Sequence, residues 1–381
     1  MTEHKTPKIA LVHDYLREYG GAERVLEALH DLYPEAPVYV AFYDKKALGR
    51  HWERFKTWEL RTTWLAKIPG IKKLFSPLRF LAPKAFADLD LSEFDLVISS
   101  CNAYFAKAVI VPNGKQFCYC HTPPRALYGY TTMSNWKKNP FVRVGGELIN
   151  HYLRVVDFQV AQKVTQFIAN SAETAARIEK FYRRDSTVIF PPVGVGSTAK
   201  LKPLTQRSAF LYVNRLALAK HPELAVKVCL ELALPLRVVG VGPMLNELKT
   251  LVKNWNAAHS ERPSQVEFLG AVSDEVLAKE YQSAKALLYP VEDEDFGMVP
   301  VEAMLAGTPV IAHNSGGPRE TVIPGKTGLL FDELTAEGLG QALRTFSAAD
   351  FDAKQIQQSA EKFSLPAFNS AIKKIVTQFS C

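Results

Sequence analysis

The sequence predicts an α/β protein made of two successive parallel-sheet domains facing a cleft, with a C-terminal helix crossing back to the first. Three observations predict it. Short apolar runs of strand length alternate with helical segments along most of the chain. Several of those runs end in a glycine turn or a small polar cluster that opens a helix. The composition changes once, at residues 191–208 (PPVGVGSTAKLKPLTQRS), where bulky residues become sparse and a linker is expected. A chain of 381 residues suits two domains. The expected limits are 1–190, 191–360 and a terminal helix over 361–381.

Lys8–Val12 reads as the first strand and ends in His13-Asp14-Tyr15. Gly20-Gly21 then open a helix over Ala22–Tyr33, with Val25, Leu26, Leu29 and Leu32 on one face. A strand, a glycine turn and a helix start make a phosphate-friendly unit, although two glycines also serve as an ordinary tight turn. Further strands are expected at Val38–Phe42, Leu96–Ser99 and Phe117–Cys120.

Residues 61–86 (RTTWLAKIPGIKKLFSPLRFLAPKAF) hold six basic residues and no acidic one, interleaved with Trp64, Ile68, Leu74, Phe75 and Phe80. Such a mixture fits an anionic bilayer surface. It equally fits short helices with buried apolar faces and solvated lysines. Prolines at 69, 77 and 83 exclude one long amphipathic helix. No nucleic-acid-reading motif accompanies the charge, so nucleic acid is not expected as a partner.

Cys118-Tyr-Cys120-His121-Thr-Pro-Pro-Arg125 closes the strand ending at Cys120. A C-x-C-H cluster without a second ligand pair is a poor zinc site, and cysteines two apart in a strand share a face. His121 stands where open parallel sheets meet ligands, at the carboxyl end of a strand. A long helix is expected over 144–165, a strand at Phe167–Ala169, a capped helix start at Asn170-Ser171, and a strand at Val188–Phe190.

In the second half, strands are expected at Phe210–Val213, Leu236–Val239, Val266–Leu269, Ala286–Tyr289, Val310–Ala312 and Leu329–Phe331. Helices such as Glu223–Ala233 and Asp274–Ser283 fall between them. Arg215 and Lys220 follow the first of these strands and could both reach a diphosphate; a solvated loop is the alternative. Gly240 and Gly242 follow the next and allow close backbone approach to a ligand. The most informative stretch is Glu292–Ala312, EDEDFGMVPVEAMLAGTPVIA. The Phe296-Gly297 turn leads to a helix expected near Pro300, and loop amides before a helix start form an anion site. Glu294 and Glu302 flank it.

Composition sets outer bounds. The chain is 47% hydrophobic and 22% charged, ordinary for a globular protein. No apolar run approaches the roughly 18 residues of a membrane span, and MTEHKTPK lacks a signal-peptide core. A cytoplasmic protein is expected, peripheral at most on the inner face of the cell membrane, and its five cysteines are expected reduced. Residues 1–190 carry 27 Lys and Arg against 19 Asp and Glu, the remainder 19 against 20. The excess positive charge therefore lies in the first half, which is expected to meet an anionic partner.

Taken together these pieces resemble the family 4 retaining glycosyltransferases, which have the GT-B fold of two Rossmann-like domains. Glu294 and Glu302 are spaced as in that family's E-x7-E motif, and their surroundings are similar to its consensus. His13-Asp14 with Gly20-Gly21, the CHTPPR segment, Asn170-Ser171, Arg215 with Lys220, Ser315–Glu320 and Gly325–Leu330 match in order. The likeness covers nearly the whole chain and is greatest to bacterial mannosyltransferases that build O-antigen or exopolysaccharide.

The resemblance implies that Arg215 and Lys220 neutralise a leaving diphosphate and that amides near Phe296, Gly297, Met298 and Val299 hold the donor, with Gly240 and Gly242 beside it. It implies Glu294 on the donor-sugar hydroxyls, Glu302 on the ribose, His121 on the sugar from the other domain, and Gly20, Gly21 and Arg125 on the acceptor side. The first domain would take the acceptor, a glycan or polyprenyl-diphosphate-linked glycan, and the second the nucleotide sugar, GDP-mannose in preference to a UDP-sugar. No cofactor and no metal are expected. The D-x-D triplet within Glu292–Asp295 holds a metal in the other major glycosyltransferase fold, but here it lies inside the E-x7-E motif. Asp295 and Arg319 depart from the commonest family pattern. An epimerase, a phosphorylase or a non-catalytic nucleotide-binding subunit would share the fold.

Overall fold

The computed structural model describes residues 7–131, 140–194 and 201–378, with side chains from residue 143 onward in the helix that begins at Pro140. Two compact units emerge, one of residues 1–192 and 365–381, the other of residues 193–364. The first holds strands β1 (Ile9–His13), β2 (Val38–Val40), β3 (Leu60–Thr62), β4 (Leu96–Cys101), β5 (Lys115–Cys120), β6 (Gln166–Ala169) and β7 (Ser186–Val188). They lie in the order β3-β2-β1-β4-β5-β6-β7. The second holds β8 (Ala209–Val213), β9 (Leu236–Val239), β10 (Val266–Gly270), β11 (Ala284–Tyr289), β12 (Val310–His313) and β13 (Gly328–Phe331), ordered β10-β9-β8-β11-β12-β13.

All ladders in both sheets are parallel. Parallel sheets are covered on both faces, which is why the central strands read as unbroken apolar runs. In the first unit Ala10, Val12, Val97 and Cys118 fill one face and Leu11, Ile98, Phe117 and Tyr119 the other. Each sheet starts at its middle, runs outward to one edge, then returns to the middle for the other half. The return falls between β1 and β4 in the first unit and between β8 and β11 in the second. Loops at the carboxyl ends diverge at such a switch point and leave a crevice.

Several expected elements change. The strand β3 is an additional edge strand inside the expected basic stretch; it is half exposed and lacks any alternation to announce it. Residues 61–86 otherwise break into short turns of helix, with Leu65, Ile71, Ala85 and Phe86 in the core and Leu74 and Phe80 outside. The last strand of the first unit ends at Val188, since Ile189 turns inward and its carbonyl accepts from the Tyr119 hydroxyl at 2.8 Å. The long helix spans Pro140–Lys163. Both limits of the second unit shift toward the C-terminus, from 191 and 360 to 193 and 364. Residues 361–364 stay with it because Phe363 is buried edge-on to Phe296 and its carbonyl accepts from the Val193 amide at 2.8 Å. The chain rejoins the first unit at Leu365, where the helix Leu365–Gln378 buries Phe368, Ile372, Ile375 and Val376 beside Leu11 and Tyr119.

Two buried polar assemblies hold the first unit together. The Asp14 carboxylate, just past β1, accepts from the backbone amides of Asn102, Tyr104 and Ala106, each at 2.9 Å. It thereby ties the loop after β4 to β1. Lys107, 1% exposed, pairs with Asp157 at 2.6 Å, and the Tyr182 and Tyr128 hydroxyls complete the cluster. Burial works against the Lys107 ammonium, but the charge of Asp157 outweighs it and holds its pKa well above the usual range. Breaking one partner of such a pair strands a buried charge at a cost of about 3–5 kcal/mol, whereas removing both costs much less. Lys107→Met should therefore destabilise the protein by about 3–5 kcal/mol in chemical denaturation. The double variant Lys107→Met with Asp157→Leu should recover more than half of that loss. Equal losses in single and double variants would show that the pair is not coupled.

Candidate active site

The predicted residues gather into one cluster in each unit, both at the switch points. In the first unit, His13 closes β1, Ser100 lies beside it in register on β4, and His121 follows β5. The Ser100 hydroxyl bridges them, 3.1 Å from His13 Nδ1 and 2.8 Å from His121 Nε2. His121 is held by its backbone as well. Its amide donates to the Cys101 carbonyl at 2.9 Å, and its own carbonyl accepts from Asn170 Nδ2 at 2.9 Å and Thr174 Oγ1 at 3.2 Å. This gives the Asn170-Ser171 helix start a second role. Ser171 caps the helix Ala172–Tyr182 by accepting from the Thr174 amide, while Asn170 fixes the histidine. Burial pushes the His121 pKa down to about 3, so the ring is neutral at ordinary pH.

Gly20 is the N-cap of the helix Gly21–Leu32, and its amide donates to Glu23 Oε2 at 2.8 Å. A Cβ at Gly20 would meet only Glu23, at 3.5 Å, so the glycine is not sterically required in the structure as it stands. Arg125 lies in the loop after His121, where its Nε donates to the Thr131 carbonyl at 3.0 Å and its guanidinium covers the Tyr130 ring. Cys118 and Cys120 share the buried face of β5, as expected of residues two apart in a strand.

In the second unit, β8 runs into Asn214 and exposed Arg215, then into the turn Leu218–Lys220. The Tyr212 hydroxyl donates to the Lys220 carbonyl at 2.8 Å and fixes that turn. The Lys220 ammonium donates to Glu294 Oε2, and the Tyr289 hydroxyl donates to the same oxygen at 2.8 Å. Burial, reinforced by the charge of Glu294, holds the Tyr289 phenol well above its usual pKa, so it remains a donor. The acidic run before Phe296 thus turns its third carboxylate, Glu294, to a lysine and a tyrosine.

The helix after it begins at Met298, two residues before the expected start, with Gly297 as a left-handed N-cap at φ 82°. Pro300 is its third residue, where an N–H would still lack an intrahelical acceptor, so the proline costs nothing there. Gly297 lies close to Glu294, since a Cβ on it would be 3.5 Å from the Glu294 Cγ. The amides opening the helix therefore sit beside the Lys220–Glu294 pair, with the positive end of the helix dipole toward it. Glu302, 5% exposed, accepts from the Tyr281 hydroxyl at 2.7 Å. Behind Tyr281, its carbonyl accepts from Thr308, whose hydroxyl in turn accepts from the buried Arg207 guanidinium at 2.6 Å.

Three of the residues expected at the donor make close protein contacts of their own. The Phe296 ring is 2% exposed and packs on Phe363, so it anchors the loop and leaves only backbone for a ligand. The glycines 240 and 242 make their close approach to protein. A Cβ on Gly240 would stand 1.9 Å from the Asn214 carbonyl oxygen, and one on Gly242 would stand 2.3 Å from that of Leu216. They dock the loop after β9 against the loop that carries Arg215 and Lys220. Ser315-Gly316-Gly317 does the same for the acidic loop. The Gly317 amide donates to the Glu294 carbonyl at 2.8 Å, and side chains at 316 or 317 would collide with the carbonyls of Glu294 or Phe296 at 2.2 and 2.1 Å.

Sequence reasoning missed Ser100, Glu23, Tyr281 and Tyr289 as parts of these clusters. The two tyrosines carried a signal, because their spacing equals that of Glu294 and Glu302. Ser100 carried none, since its place opposite His13 is a matter of strand register.

Residues 198–363 match the family described as "Glycosyl transferases group 1". The chain is 28% identical to the alpha-1,3/1,6-mannosyltransferase alg2 of Schizosaccharomyces pombe, over 86% of this chain and 71% of that one. A GDP-mannose-dependent alpha-mannosyltransferase of Mycolicibacterium smegmatis is 37% identical over 32% of this chain and 29% of its own. Among solved structures, Anabaena HepE in complex with UDP and glucose superposes with a TM-score of 0.69 at 19% identity, covering 98% of this chain and 100% of that one. The apo form of the lipopolysaccharide outer core galactosyltransferase WaaB gives 0.68, also at 19% identity, over 97% and 99%. With its two parallel-sheet units, its clusters at both switch points and these likenesses, the chain has the GT-B fold and is a glycosyltransferase, similar over residues 198–363 to group 1.

Proposed function

We propose that this protein is a family 4 retaining mannosyltransferase that moves mannose from GDP-mannose to a lipid-linked glycan of bacterial O-antigen or exopolysaccharide type. The observation that carries the reading is the Lys220–Glu294 pair beside the opening amides of the helix Met298–Leu305. A cation and unpaired amides suit a diphosphate, and a carboxylate next to them suits the hydroxyls of the attached sugar. The named relatives that use GDP-mannose or transfer mannose favour the donor.

In this reading Arg215 and Lys220 take up the charge that develops on the leaving diphosphate, the largest electrostatic task of the reaction. Glu294 orients the donor sugar, Glu302 accepts from the ribose hydroxyls, and the amides of Gly297, Met298 and Val299 hold the phosphates. His121 serves the sugar from the first unit, and Gly20, Gly21 and Arg125 serve the acceptor. Lys220 and Glu294 neutralise one another, and the donor replaces that pairing with phosphate on one side and hydroxyl on the other. Transfer proceeds at the front face of the donor within an ion pair, without a divalent metal. The protein is cytoplasmic and peripheral on the inner face of the membrane. Among the described residues no helix is long and apolar enough to cross a bilayer. Exposed Leu74 and Phe80 beside Lys67 and Lys73 give residues 61–86 a surface suited to anionic lipid.

The donor assignment predicts that GDP-mannose at about 100 times its dissociation constant stabilises the protein by about 2.7 kcal/mol in a thermal-shift panel, more than UDP- or ADP-sugars do. Mannosyl transfer should persist in excess chelator. A UDP-sugar giving the largest shift, or activity that needs added Mn²⁺ or Mg²⁺, would overturn the corresponding part.

The pairing predicts opposite effects of its two members on binding of GDP alone. Lys220→Ala should weaken GDP roughly tenfold or more, the equivalent of about 1.4 kcal/mol. Glu294→Gln should bind GDP as well as or better than the parent, because a negative charge beside the diphosphate is gone. Both should lose transfer by about 10²-fold or more. Weaker GDP binding by Glu294→Gln would place that carboxylate away from the phosphates.

The surface assignment predicts co-sedimentation with anionic vesicles, reduced by Leu74→Asp with Phe80→Asp and by raised salt. Protein that stays in the supernatant with anionic vesicles removes the membrane from the reading.

A further inference from the structure

The His121 cluster continues beyond Ser100. His13 Nε2 lies 3.5 Å from Glu23 Oε1, and the other oxygen of Glu23 accepts the Gly20 amide. Four polar side chains, Glu23, His13, Ser100 and His121, thus form a line, each no more than 8% exposed. None of the roles assigned above uses the first three. Buried polar groups with no water to exchange partners must settle their protons among themselves.

We infer that Glu23, by its charge beside His13, and the hydrogen-bonded His13 and Ser100 set the tautomer of His121, placing its proton on Nε2 and leaving Nδ1 as a lone-pair acceptor. The direction follows from the donors each group has. The Gly20 amide can only donate, which makes Glu23 an acceptor at Oε2, and the negative charge of the carboxylate favours a proton on the nearer His13 nitrogen, Nε2. With that one proton and no second, His13 keeps a lone pair on Nδ1, which accepts the Ser100 hydroxyl. That hydroxyl has only one proton to give, so toward His121 it must accept, and the proton of the second bond comes from His121 Nε2. Of the two nitrogens of a neutral imidazole, the hydrogen bond made by one decides the role of the other. Glu23, His13 and Ser100 are positioning residues in this account, acting through His121.

The consequence for transfer rests on the assignment of His121 to the donor sugar. A lone pair on Nδ1 accepts from a sugar hydroxyl, whereas an N–H there would need an acceptor, such as phosphate or a carbonyl. The loop carrying Gly20-Gly21 is part of the same line, because the Gly20 amide ends it. A group bound at that loop would compete for Glu23 and loosen the line at its far end.

The test uses the full chain with ¹⁵N-labelled histidine, the His121 signals being assigned by their loss in His121→Gln. The expected result is a protonated Nε2 and a bare Nδ1 in the parent protein. Ser100→Ala should give a mixture of tautomers and lower kcat by about 10–100-fold, the range that loss of an outer partner costs, with the KM for the donor little changed. Ser100→Thr, which keeps a hydroxyl, should restore both. Melting temperature screens each variant for folding; if Ser100→Ala fails to fold, Glu23→Gln takes its place, with a smaller tautomer shift expected. A parent His121 with its proton on Nδ1 overturns the inference, as does a Ser100→Ala protein, folded, whose tautomer is unchanged. A tautomer that responds as expected while kcat does not supports the inference and counts only against His121 acting on the donor sugar.

Discussion

The constraint on which the second unit's site depends is the close approach of two glycines to the acidic loop. Gly316 and Gly317 lie against the carbonyls of Glu294 and Phe296, with the Gly317 amide bonded to the first of them. Gly316 also takes φ 58°, a conformation that favours glycine. Any side chain there would push the loop outward. The Glu294 carboxylate would then leave Lys220 and Tyr289, and the amides opening the next helix would lose their place. A displacement of about 1 Å in such a site is enough to cost 10²-fold in rate. Phe296 secures the same loop from below by burying its ring against Phe363.

The two units meet one physical problem in different ways. Each must hold charged or polar groups at the carboxyl end of its sheet, with a buried core directly beneath. The second unit supports each carboxylate with a tyrosine hydroxyl, Tyr289 under Glu294 and Tyr281 under Glu302, and burial keeps the first of them protonated. The first relies on its strands. The register that sets His13 beside Ser100 also puts Ser100 within reach of His121. Asp14, the next residue along, spends its charge on three backbone amides and fixes the loop that follows Ser100. A buried carboxylate that accepts several amides is worth far more in place than replaced by an apolar group, which would leave those amides unpaired.

Glycine carried two meanings in this chain, and only one was legible. Gly297 was read as the turn before a helix, and it is the left-handed cap of that helix. Gly240 and Gly242 are expected to allow close backbone approach, and one backbone that comes close is that of the neighbouring loop. A glycine in sequence reports that something comes close without saying what, and the partner is decided by which strands are neighbours. The same holds for Phe296, whose ring points into the core although the backbone on either side of it faces the site.

The parallel α/β architecture was determined by the sequence alone, because strands buried on both faces must be apolar throughout and the segments between them carry helical periodicity. So were the positions of Lys220, Glu294 and Glu302 at loop and helix starts, since glycine, proline and capping residues act locally. The edge strand Leu60–Thr62 left no such pattern, being half exposed and three residues long. Only the tertiary structure decided that Lys220 meets Glu294, that each glutamate has its own tyrosine, and that Glu23, His13, Ser100 and His121 stand in one line. Most of those contacts join residues far apart in the chain. They depend on strand order and register, which local propensity does not encode.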